Sequence, residues 1–300
     1  MQLEALKQEF IFHCKYRKLS PKTVRNYEKQ IGYLLRFLEQ EKGITELEQV
    51  EPKLIKEFLL NMSVAGRTAN YVNDLLKVYK VMFRYAYEER YTPELLTKKI
   101  QNVQKPKVII RTFSDEELKR MIQYYSGHTF LEIRNKVMIM LFADTGIRLS
   151  ELIELTGEQV KDDFIIIRGK GNKERVVPKS PQMSKWLMKY CIVREQYFRY
   201  RVIPENLFLS RNAKPLGSSI VDRMISKAGK GCNVSPDVRC SAHTFRHTYA
   251  QFQLKAGLDV YSLSRLLGHE SIAITQTYLN GMRDSEVLKQ AERTSPLMNL

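Results

Sequence analysis

The sequence predicts a mainly α-helical fold with a small β-hairpin in the second of two domains, and three observations support this. The chain has 300 residues, whereas single domains usually have roughly 100–200. Hydrophobic residues make up 43% of the chain, which is enough to build packed cores and too much for a disordered protein. Apolar residues recur at helical spacing along most of the sequence, and short β-branched segments flank a glycine-rich turn.

Residues 1–104 are predicted to form a helical domain. One helix begins at Ser20-Pro21, because serine is a preferred N-cap and proline a preferred first residue, and Gly43 ends it. Further helices are expected from about Pro52 and Thr68. The helix that begins at Ser20-Pro21 has apolar positions at Val24, Tyr27, Ile31, Leu34, Leu35 and Leu38. The helix from Pro52 has them at Leu54, Ile55, Phe58 and Leu59. The helix from Thr68 has them at Tyr71, Leu75, Tyr79, Met82, Phe83 and Tyr87.

Residues 105–112 are predicted to be a basic linker, and residues 113–300 a second, mixed domain. Pro106 disfavours helix in the residue before it, and Ser114 with Glu117 forms the pattern of a capping box. Helices are expected at 115–125, 132–144, 181–199, 217–229, 243–256 and 260–267. Strands at 164–167 and around 175–177 flank the turn 169–172, which is typical of a hairpin.

The charge of the chain predicts a polyanionic partner. Lys and Arg number 49 against 33 Asp and Glu, a formal net charge of +16. Residues 1–110 hold 20 basic and 13 acidic residues, a net of +7, and the remainder carries +9. Because both parts are basic, we expect a two-domain clamp that grips double-stranded DNA from two sides. Charge spread only for solubility would give the same totals.

Other classes are disfavoured by composition. No segment approaches the ~20 uninterrupted apolar residues of a membrane span, and no basic amphipathic membrane anchor is present. The first residues lack the layout of a secretion signal, and the four cysteines contain no close pair. The sequence therefore predicts a cytoplasmic protein without a disulfide framework or a zinc module.

Several polar residues stand apart from the helical periodicity. Arg148 follows the break at Gly146, with Glu151 one turn away to hold its guanidinium. Lys170 lies between two glycines at the hairpin tip, and Lys173 and Arg175 are interpreted as backbone-phosphate contacts. Four more lie later in the chain: His243 and Arg246, three residues apart on one predicted helix, His269 after Gly268, and Tyr278. His247 is predicted only to pack or to cap.

Each of these residues alone has a plainer explanation as a surface, turn or core residue. Together they supply what an attack on a phosphodiester without metal requires. Arginines stabilise the extra negative charge of the transition state, and tyrosine, with a pKa of ~10, needs a proton acceptor in order to attack. Lys or His can protonate the leaving oxygen, and no clustered carboxylates favour a two-metal nuclease. No cofactor and no metal are therefore expected.

Five motifs in order give a more specific identification. TGIRLSEL, GKGNKERVVP, HTFRH, LGH and then Tyr278 resemble the catalytic motifs of the tyrosine recombinase (phage integrase) family, and LSPKTVRNYEKQIGYLLRFL resembles its core-binding, SAM-like domain. The resemblance covers nearly the whole chain. It implies that Tyr278 attacks the scissile phosphate and forms a 3′-phosphotyrosine, while Arg148 and Arg246 clamp the non-bridging oxygens with help from His269. Lys170 would protonate the 5′-oxygen, and His243 would act as acid and base.

The resemblance also implies an assembly. Free protein is expected to be monomeric, and four subunits would join two DNA sites and pass through a Holliday junction, with an accessory protein or partner recombinase in some systems. A short C-terminal helix with the stripe Val287, Leu288 and Ala291 would dock either on its own domain or in a neighbouring protomer. Because such a recombinase acts on DNA, the resemblance also implies that the protein associates with the nucleoid.

Alternatives stay open at this point. Leu279-Asn280 stands where Xer-type resolvases show Thr-His, so integration or excision of a mobile element competes with dimer resolution. A type IB topoisomerase uses a similar set of residues. A DNA-binding protein that has lost the chemistry is disfavoured, because every expected catalytic position is filled.

Overall fold

The computed structural model describes residues 1–105, 110–169, 173–269 and 271–279. The chain divides into two compact units, with the boundary between residues 107 and 108. Each unit has its own hydrophobic core. None of the helices in the described ranges is long and apolar enough to cross a membrane.

The first unit is built from four helices: α1 Leu3–Tyr16, α2 Pro21–Lys42, α3 Pro52–Val64 and α4 Ala69–Glu88, with a 3₁₀ turn at Leu47–Gln49. The Ser20 hydroxyl accepts a hydrogen bond from the Thr23 N–H at 3.2 Å, and Gly43 ends α2 with a left-handed φ of 68°. The predicted helices α2 to α4 are therefore confirmed. The sequence analysis missed α1, whose N-cap residue Gln2 makes no side-chain capping bond.

The second unit contains eight helices and two strands in its described residues. The helices are α5 Asp115–Gln123, α6 Phe130–Thr145, α7 Leu149–Glu154, α8 Pro181–Tyr197, α9 Ser218–Gly231, α10 Ala242–Lys255, α11 Val260–Leu267 and α12 Ile272–Gln276, with a 3₁₀ turn at Gly157–Gln159. The capping box at Ser114 and Glu117 is confirmed by both of its hydrogen bonds. Helix α12 was not predicted, because five residues are too few to show a helical period.

The hairpin predicted around residue 170 is present. Strand β1 Phe164–Arg168 pairs antiparallel with β2 Glu174–Pro178, and the Gly169 N–H donates to the Lys173 carbonyl at 2.8 Å. Ile165, Ile167 and Val177 are buried on one face of this sheet. The hairpin is therefore anchored to the core of the second unit, which a two-stranded sheet needs in order to be stable.

Helices α6, α10 and α11 position the functional residues. Helix α6 packs against α5, α8 and α10, and most of its residues are buried. Both α6 and α11 end at a glycine in the left-handed conformation, Gly146 with φ 59° and Gly268 with φ 64°. Each reversal leaves carbonyl groups of the last turn without helical partners. These carbonyls face the beginning of α10.

Candidate active site

The structure brings most of the predicted site residues together. Arg148 is the N-cap of α7, Arg246 lies in the first turns of α10, His269 follows α11, and Tyr278 follows α12. These residues are up to 130 positions apart in the sequence, but their charges and rings act on one another. Lys170 lies outside the described residues.

Arg246 is the buried centre of the site, with 3% of its surface exposed. Its Nη1 donates to the Gly146 carbonyl at 2.8 Å, and its Nη2 donates to the Leu267 carbonyl at 2.6 Å. These carbonyls belong to the C-terminal ends of α6 and α11, where helix dipoles favour a positive charge. Burial and the neighbouring Arg148 lower the pKa of Arg246 to about 10, so the guanidinium stays charged at neutral pH.

Arg148 is held by three contacts with two neighbours. Its backbone N–H donates to Glu151 Oε2 at 2.8 Å, its Nη1 to Glu151 Oε1 at 2.7 Å, and its Nη2 to the Gly268 carbonyl at 2.9 Å. The predicted support of Arg148 by Glu151 is confirmed. Since 39% of the Arg148 side chain is exposed, part of this charge faces solvent.

Arg175, predicted to contact a backbone phosphate, is paired inside the second unit. Only 10% of its side chain is exposed, and both of its Nη atoms donate to the Glu151 carboxylate, at 2.8 and 2.7 Å. Its Nε donates to the Leu266 carbonyl at 2.8 Å. Arg175 thereby ties strand β2 to α7 and to the end of α11, and its predicted contact with a backbone phosphate stays a prediction.

Glu151 is a buried carboxylate shared by two arginines. Burial alone would raise its pKa, but the hydrogen bonds and charge of Arg175, together with those of Arg148, lower the pKa to about 2. Glu151 is therefore ionised at any pH at which the protein works. It fixes the orientation of Arg148 while satisfying Arg175.

His269 lies in the turn that Gly268 opens. Its Nδ1 is 2.8 Å from the Thr275 hydroxyl oxygen. Burial, followed by the charges of Arg246 and Arg148, lowers the pKa of His269 to about 4. The imidazole is therefore neutral at pH 7, which leaves it able to donate one hydrogen bond to a nearby phosphate oxygen.

Tyr278 is almost wholly buried, with 2% of its surface exposed. It packs in a small cluster with other buried residues of the C-terminal helices, namely Tyr249, Ala250, Leu254, Leu263 and Leu267. Burial raises the pKa of Tyr278, and the charge and hydrogen bonding of Arg246 oppose that rise. The phenol is therefore protonated at neutral pH and shielded from solvent.

His243 and His247 lie one turn apart on α10. The two rings are 4.0 Å apart between centroids, and the His247 ring is 5.2 Å from the ring of Tyr278. His243 is exposed, and His247 is half-buried. The sequence analysis gave His247 only a packing or capping role, whereas the structure places it against the predicted nucleophile.

The described part of the site combines an excess of positive charge with a tyrosine hydroxyl. Three arginines, Arg148, Arg175 and Arg246, are near one carboxylate, which pairs with two of them, so the cluster keeps an excess of positive charge that suits an anion such as a phosphodiester. Among the described residues, no group of three or more His, Cys, Asp or Glu side chains is arranged to hold a metal ion.

Comparison with protein families gives a specific result. A model of the phage integrase family matches residues 111–284, more than half of the chain, and a model of the phage integrase N-terminal SAM-like domain matches residues 8–90.

The chain belongs to the phage integrase family.

Similar proteins support the same family. The chain is 29% identical to tyrosine recombinase XerC of Thermodesulfovibrio yellowstonii, over 90% of this chain and 89% of that protein. It is 26% identical to tyrosine recombinase XerD of Staphylococcus aureus, over 98% of this chain and 99% of that protein. The predictions of a tyrosine recombinase and of a DNA-cleaving and rejoining enzyme are thus confirmed.

Solved structures share the fold. The XerH site-specific recombinase, bound to a palindromic difH substrate, has a TM-score of 0.75 at 20% identity and covers 93% of this chain and 81% of that chain. The Tn1549 transposon integrase, in complex with transposon right end DNA, has a TM-score of 0.74 at 18% identity, and the match covers 98% of this chain and 100% of that chain. The predicted fold class is confirmed, and the topoisomerase alternative is not favoured, because the family matches include the N-terminal helices.

Proposed function

We propose that this phage integrase family member is a site-specific recombinase whose nucleophile is Tyr278. The observation that carries the proposal is the convergence of Arg148, Arg246 and His269 on the part of the molecule that holds the Tyr278 phenol. Attack by the phenolic oxygen on the scissile phosphorus would form a 3′-phosphotyrosyl bond and release a 5′-hydroxyl. The bond energy stays in the protein–DNA link, so a second 5′-hydroxyl can reverse the step on a different strand.

The two arginines have different tasks in this proposal. Arg246 is fixed by two helix-end carbonyls and supplies a positive charge that does not reorganise during the reaction. Arg148 is partly exposed and reaches the phosphate from the solvent side, with its orientation set by Glu151. Paired N–H donors match the non-bridging oxygens of a phosphate, whose negative charge grows in the transition state.

Lys170 is proposed to protonate the leaving 5′-oxygen. Lys170 follows β1 in the sequence, the antiparallel pairing of β1 with β2 places Arg168 opposite Glu174, and Arg175 ties β2 to the rest of the site. An ammonium on such a hairpin can reach a leaving group that lies away from the arginines.

This role has a direct test. Lys170→Ala should slow cleavage of a normal phosphodiester far more than cleavage of a substrate with sulfur at the 5′-bridging position, because a thiolate leaves without protonation. Equal slowing on both substrates would show that Lys170 is a phosphate contact rather than a proton donor.

The burial of Tyr278 gives the free protein a resting state. With 2% of its surface exposed, the phenol cannot reach a phosphate in this arrangement. We propose that DNA docking opens the site above the Tyr278 hydroxyl while its ring stays beside His247, so that cleavage begins only on a bound site. The free protein is then monomeric and inactive, and four subunits assemble on two duplexes in the nucleoid of the cytoplasm.

The biological outcome is set outside the active site. The same strand exchange gives excision, inversion, integration or resolution of a dimer, depending on where the two DNA sites lie and how they are oriented. The proposal therefore includes both mobile-element and Xer-type reactions. The C-terminal segment that would link protomers, with Val287, Leu288 and Ala291, lies outside the described residues.

Substitution of the nucleophile tests the proposal. Tyr278→Phe should select a binding site from random duplex DNA as the unaltered protein does, because only one oxygen atom is lost. On a nicked version of that site, where the reaction stops after cleavage, Tyr278→Phe should give no covalent adduct that resists denaturant. Tyr261→Phe is the control, since Tyr261 is 59% exposed and lies on α11 near the site. An adduct with Tyr278→Phe would place the nucleophile on another residue.

A further inference from the structure

Three aromatic rings, those of His243, His247 and Tyr278, are in consecutive contact. The rings of His243 and His247 meet edge-to-face, with centroids 4.0 Å apart and planes at 68°. The His247 ring then meets the Tyr278 ring at 5.2 Å and 64°. His243 is exposed, His247 is half-buried and Tyr278 is buried, so His247 lies between the nucleophile and the solvent-facing histidine.

His247 also has unused hydrogen-bonding capacity. Its Nδ1 is buried and has no hydrogen-bond partner among the described residues. Buried polar atoms are nearly always paired, because an unpaired one loses its water without compensation. The few other unpaired buried atoms in the described ranges belong to Gln30, Thr92 and Arg194. His247 thus combines an unpaired ring nitrogen with a ring contact to a buried phenol, which points to a chemical rather than a packing role.

The charges around His247 suit a group that accepts a proton and does not keep it. Burial, followed by the charges of His243 and Arg246, lowers the pKa of His247 to about 4, so the ring is neutral and able to accept a proton at pH 7. The same charges disfavour a lasting imidazolium. A positive charge on His247 would also lower the pKa of His269, so the two histidines lie near one another. His243 has Arg246 and Arg239 as charged neighbours, but it is open to water and can release a proton there.

We propose that His247 accepts the phenolic proton of Tyr278 during DNA cleavage and passes a proton to solvent through His243. As the oxygen–phosphorus bond forms, the O–H bond of the Tyr278 phenol breaks, and its proton moves to one ring nitrogen of His247. The other ring nitrogen of His247 releases its own proton to His243. The bond from phosphorus to the 5′-oxygen breaks, and that oxygen takes a proton from Lys170. One proton thus leaves at the nucleophile and one arrives at the leaving group, and ligation runs the same path backwards.

This inference rests on the proposed function, because it requires Tyr278 to be the nucleophile. It changes the role that the family resemblance gives to His243, which becomes the outer member of a relay. His243 has no ring contact with Tyr278 among the described pairs, whereas His247 does.

The test isolates activation of the nucleophile. Single-turnover cleavage is measured on a nicked site with sulfur at the 5′-bridging position, so that protonation of the leaving group does not limit the rate. His247→Phe keeps an aromatic ring but cannot accept a proton, and His247→Ala opens a space for added imidazole. Both should cleave roughly 100-fold more slowly at pH 7, which is typical for loss of an acid–base group. Added imidazole should speed His247→Ala and leave His247→Phe unchanged.

The pH profile gives a second readout that packing alone would not move. The defect of both variants should shrink as the pH rises toward the ordinary phenol pKa of ~10, because hydroxide then takes the proton directly. The matched control is His13→Phe, since the His13 ring packs against Tyr85 at 4.7 Å in the first unit. His13→Phe should cleave normally at every pH. Binding affinity and Tm are measured for every variant and show whether its fold is intact. If His247→Phe unfolds, His247→Gln takes its place.

Two results would overturn the inference. Normal cleavage by His247→Phe would mean that His247 takes no part in the reaction, and a defect that is equal at every pH and is not rescued by imidazole would reduce it to packing. Either result leaves the nucleophile assignment intact. A covalent adduct formed by Tyr278→Phe would instead defeat the proposed function itself.

Discussion

At the scale of single residues, the carboxylate of Glu151 is what lets two arginines lie side by side. Glu151 accepts hydrogen bonds from Arg148 and Arg175, and its side chain is 5% exposed. Its pKa of about 2 is below the ordinary 4.5 although burial alone would raise it. A group whose pKa is lower in the folded state stabilises the fold above the unfolded value. That stabilisation is lost as the pH falls from about 4.5 toward 2.

Acid unfolding should therefore depend on this one carboxylate. Glu151→Gln should be less stable at pH 7, because it leaves Arg175 buried without its charge partner. Between pH 5 and pH 2, the unfolding free energy of Glu151→Gln should also fall by about 3 kcal/mol less than that of the unaltered protein. Urea unfolding at several pH values measures both effects. The control is Glu154→Gln, at an exposed position on the same helix, whose stability should depend on acid as in the unaltered protein. If the stability of Glu151→Gln falls as steeply with acid as that of the control, the account of Glu151 fails.

Helical spacing predicted contacts between residues close in the chain and missed contacts between residues far apart in it. Glu151 lies one turn from Arg148, so their contact follows from helical geometry. Arg175 meets Glu151 only because the hairpin packs beside α7, and no local pattern encodes that contact. His247 was likewise undervalued, since its contact with Tyr278 depends on how α12 folds back to α10.

At the scale of elements, the ends of α6 and α11 form the frame of the site. Each helix ends at a glycine with a left-handed φ, and each end supplies carbonyls that bind the arginines. Space is tight at both reversals. A Cβ added to Gly268 would lie 2.9 Å from the Arg175 Cδ, and one added to Gly146 would lie 2.6 Å from the Tyr249 Cδ1.

Gly268→Ala should therefore harm activity as well as stability. The left-handed backbone alone costs an alanine about 1 kcal/mol, and the clash also shifts Arg175 and the carbonyl that holds Arg148. We expect slower DNA cleavage with nearly normal site binding. Gly43→Ala is the matched control, because Gly43 has a similar φ of 68° and open space around its added Cβ. It should lose the same stability and cleave normally; equal cleavage by both variants would contradict the proposed frame.

The elements that were predictable are those with strong end signals. Ser20 and Ser114 cap helices as expected, a helix begins after Thr68, and the two predicted strands of the hairpin pair with each other. Helix α1 has no capping side chain and α12 is too short for a period to emerge. What could not be read from the sequence is therefore the part of the fold that brings Tyr278 to the arginines.

At the scale of the whole molecule, basic charge is present in both halves of the sequence. Net charges of +7 for residues 1–110 and +9 for the remainder are the basis on which we expect DNA to be bound from two sides. The first unit has its own buried core, with Tyr79 and Phe83 fully enclosed, so a fragment of residues 1–106 is expected to fold.

The salt dependence of binding tests this arrangement. The slope of log K against log salt is about −0.9 for each phosphate that the protein neutralises. The fragment of residues 1–106 should bind the selected site weakly at low salt and with a flatter slope than the full chain. Fluorescence anisotropy over a salt series measures both slopes. A fragment that folds, as judged by circular dichroism, and has no DNA affinity at low salt would refute the two-sided arrangement.

The identity of the DNA-linked residue is the most direct test of the account. The covalent complex formed on a nicked site is digested with nuclease and trypsin, and the peptide that keeps a nucleotide is identified by mass spectrometry. Trypsin places Tyr249, Tyr261 and Tyr278 on three different peptides, residues 247–255, 256–265 and 266–283. We predict the nucleotide on the peptide of residues 266–283, attached at Tyr278. A nucleotide on either of the other two peptides would contradict the assignment of the nucleophile.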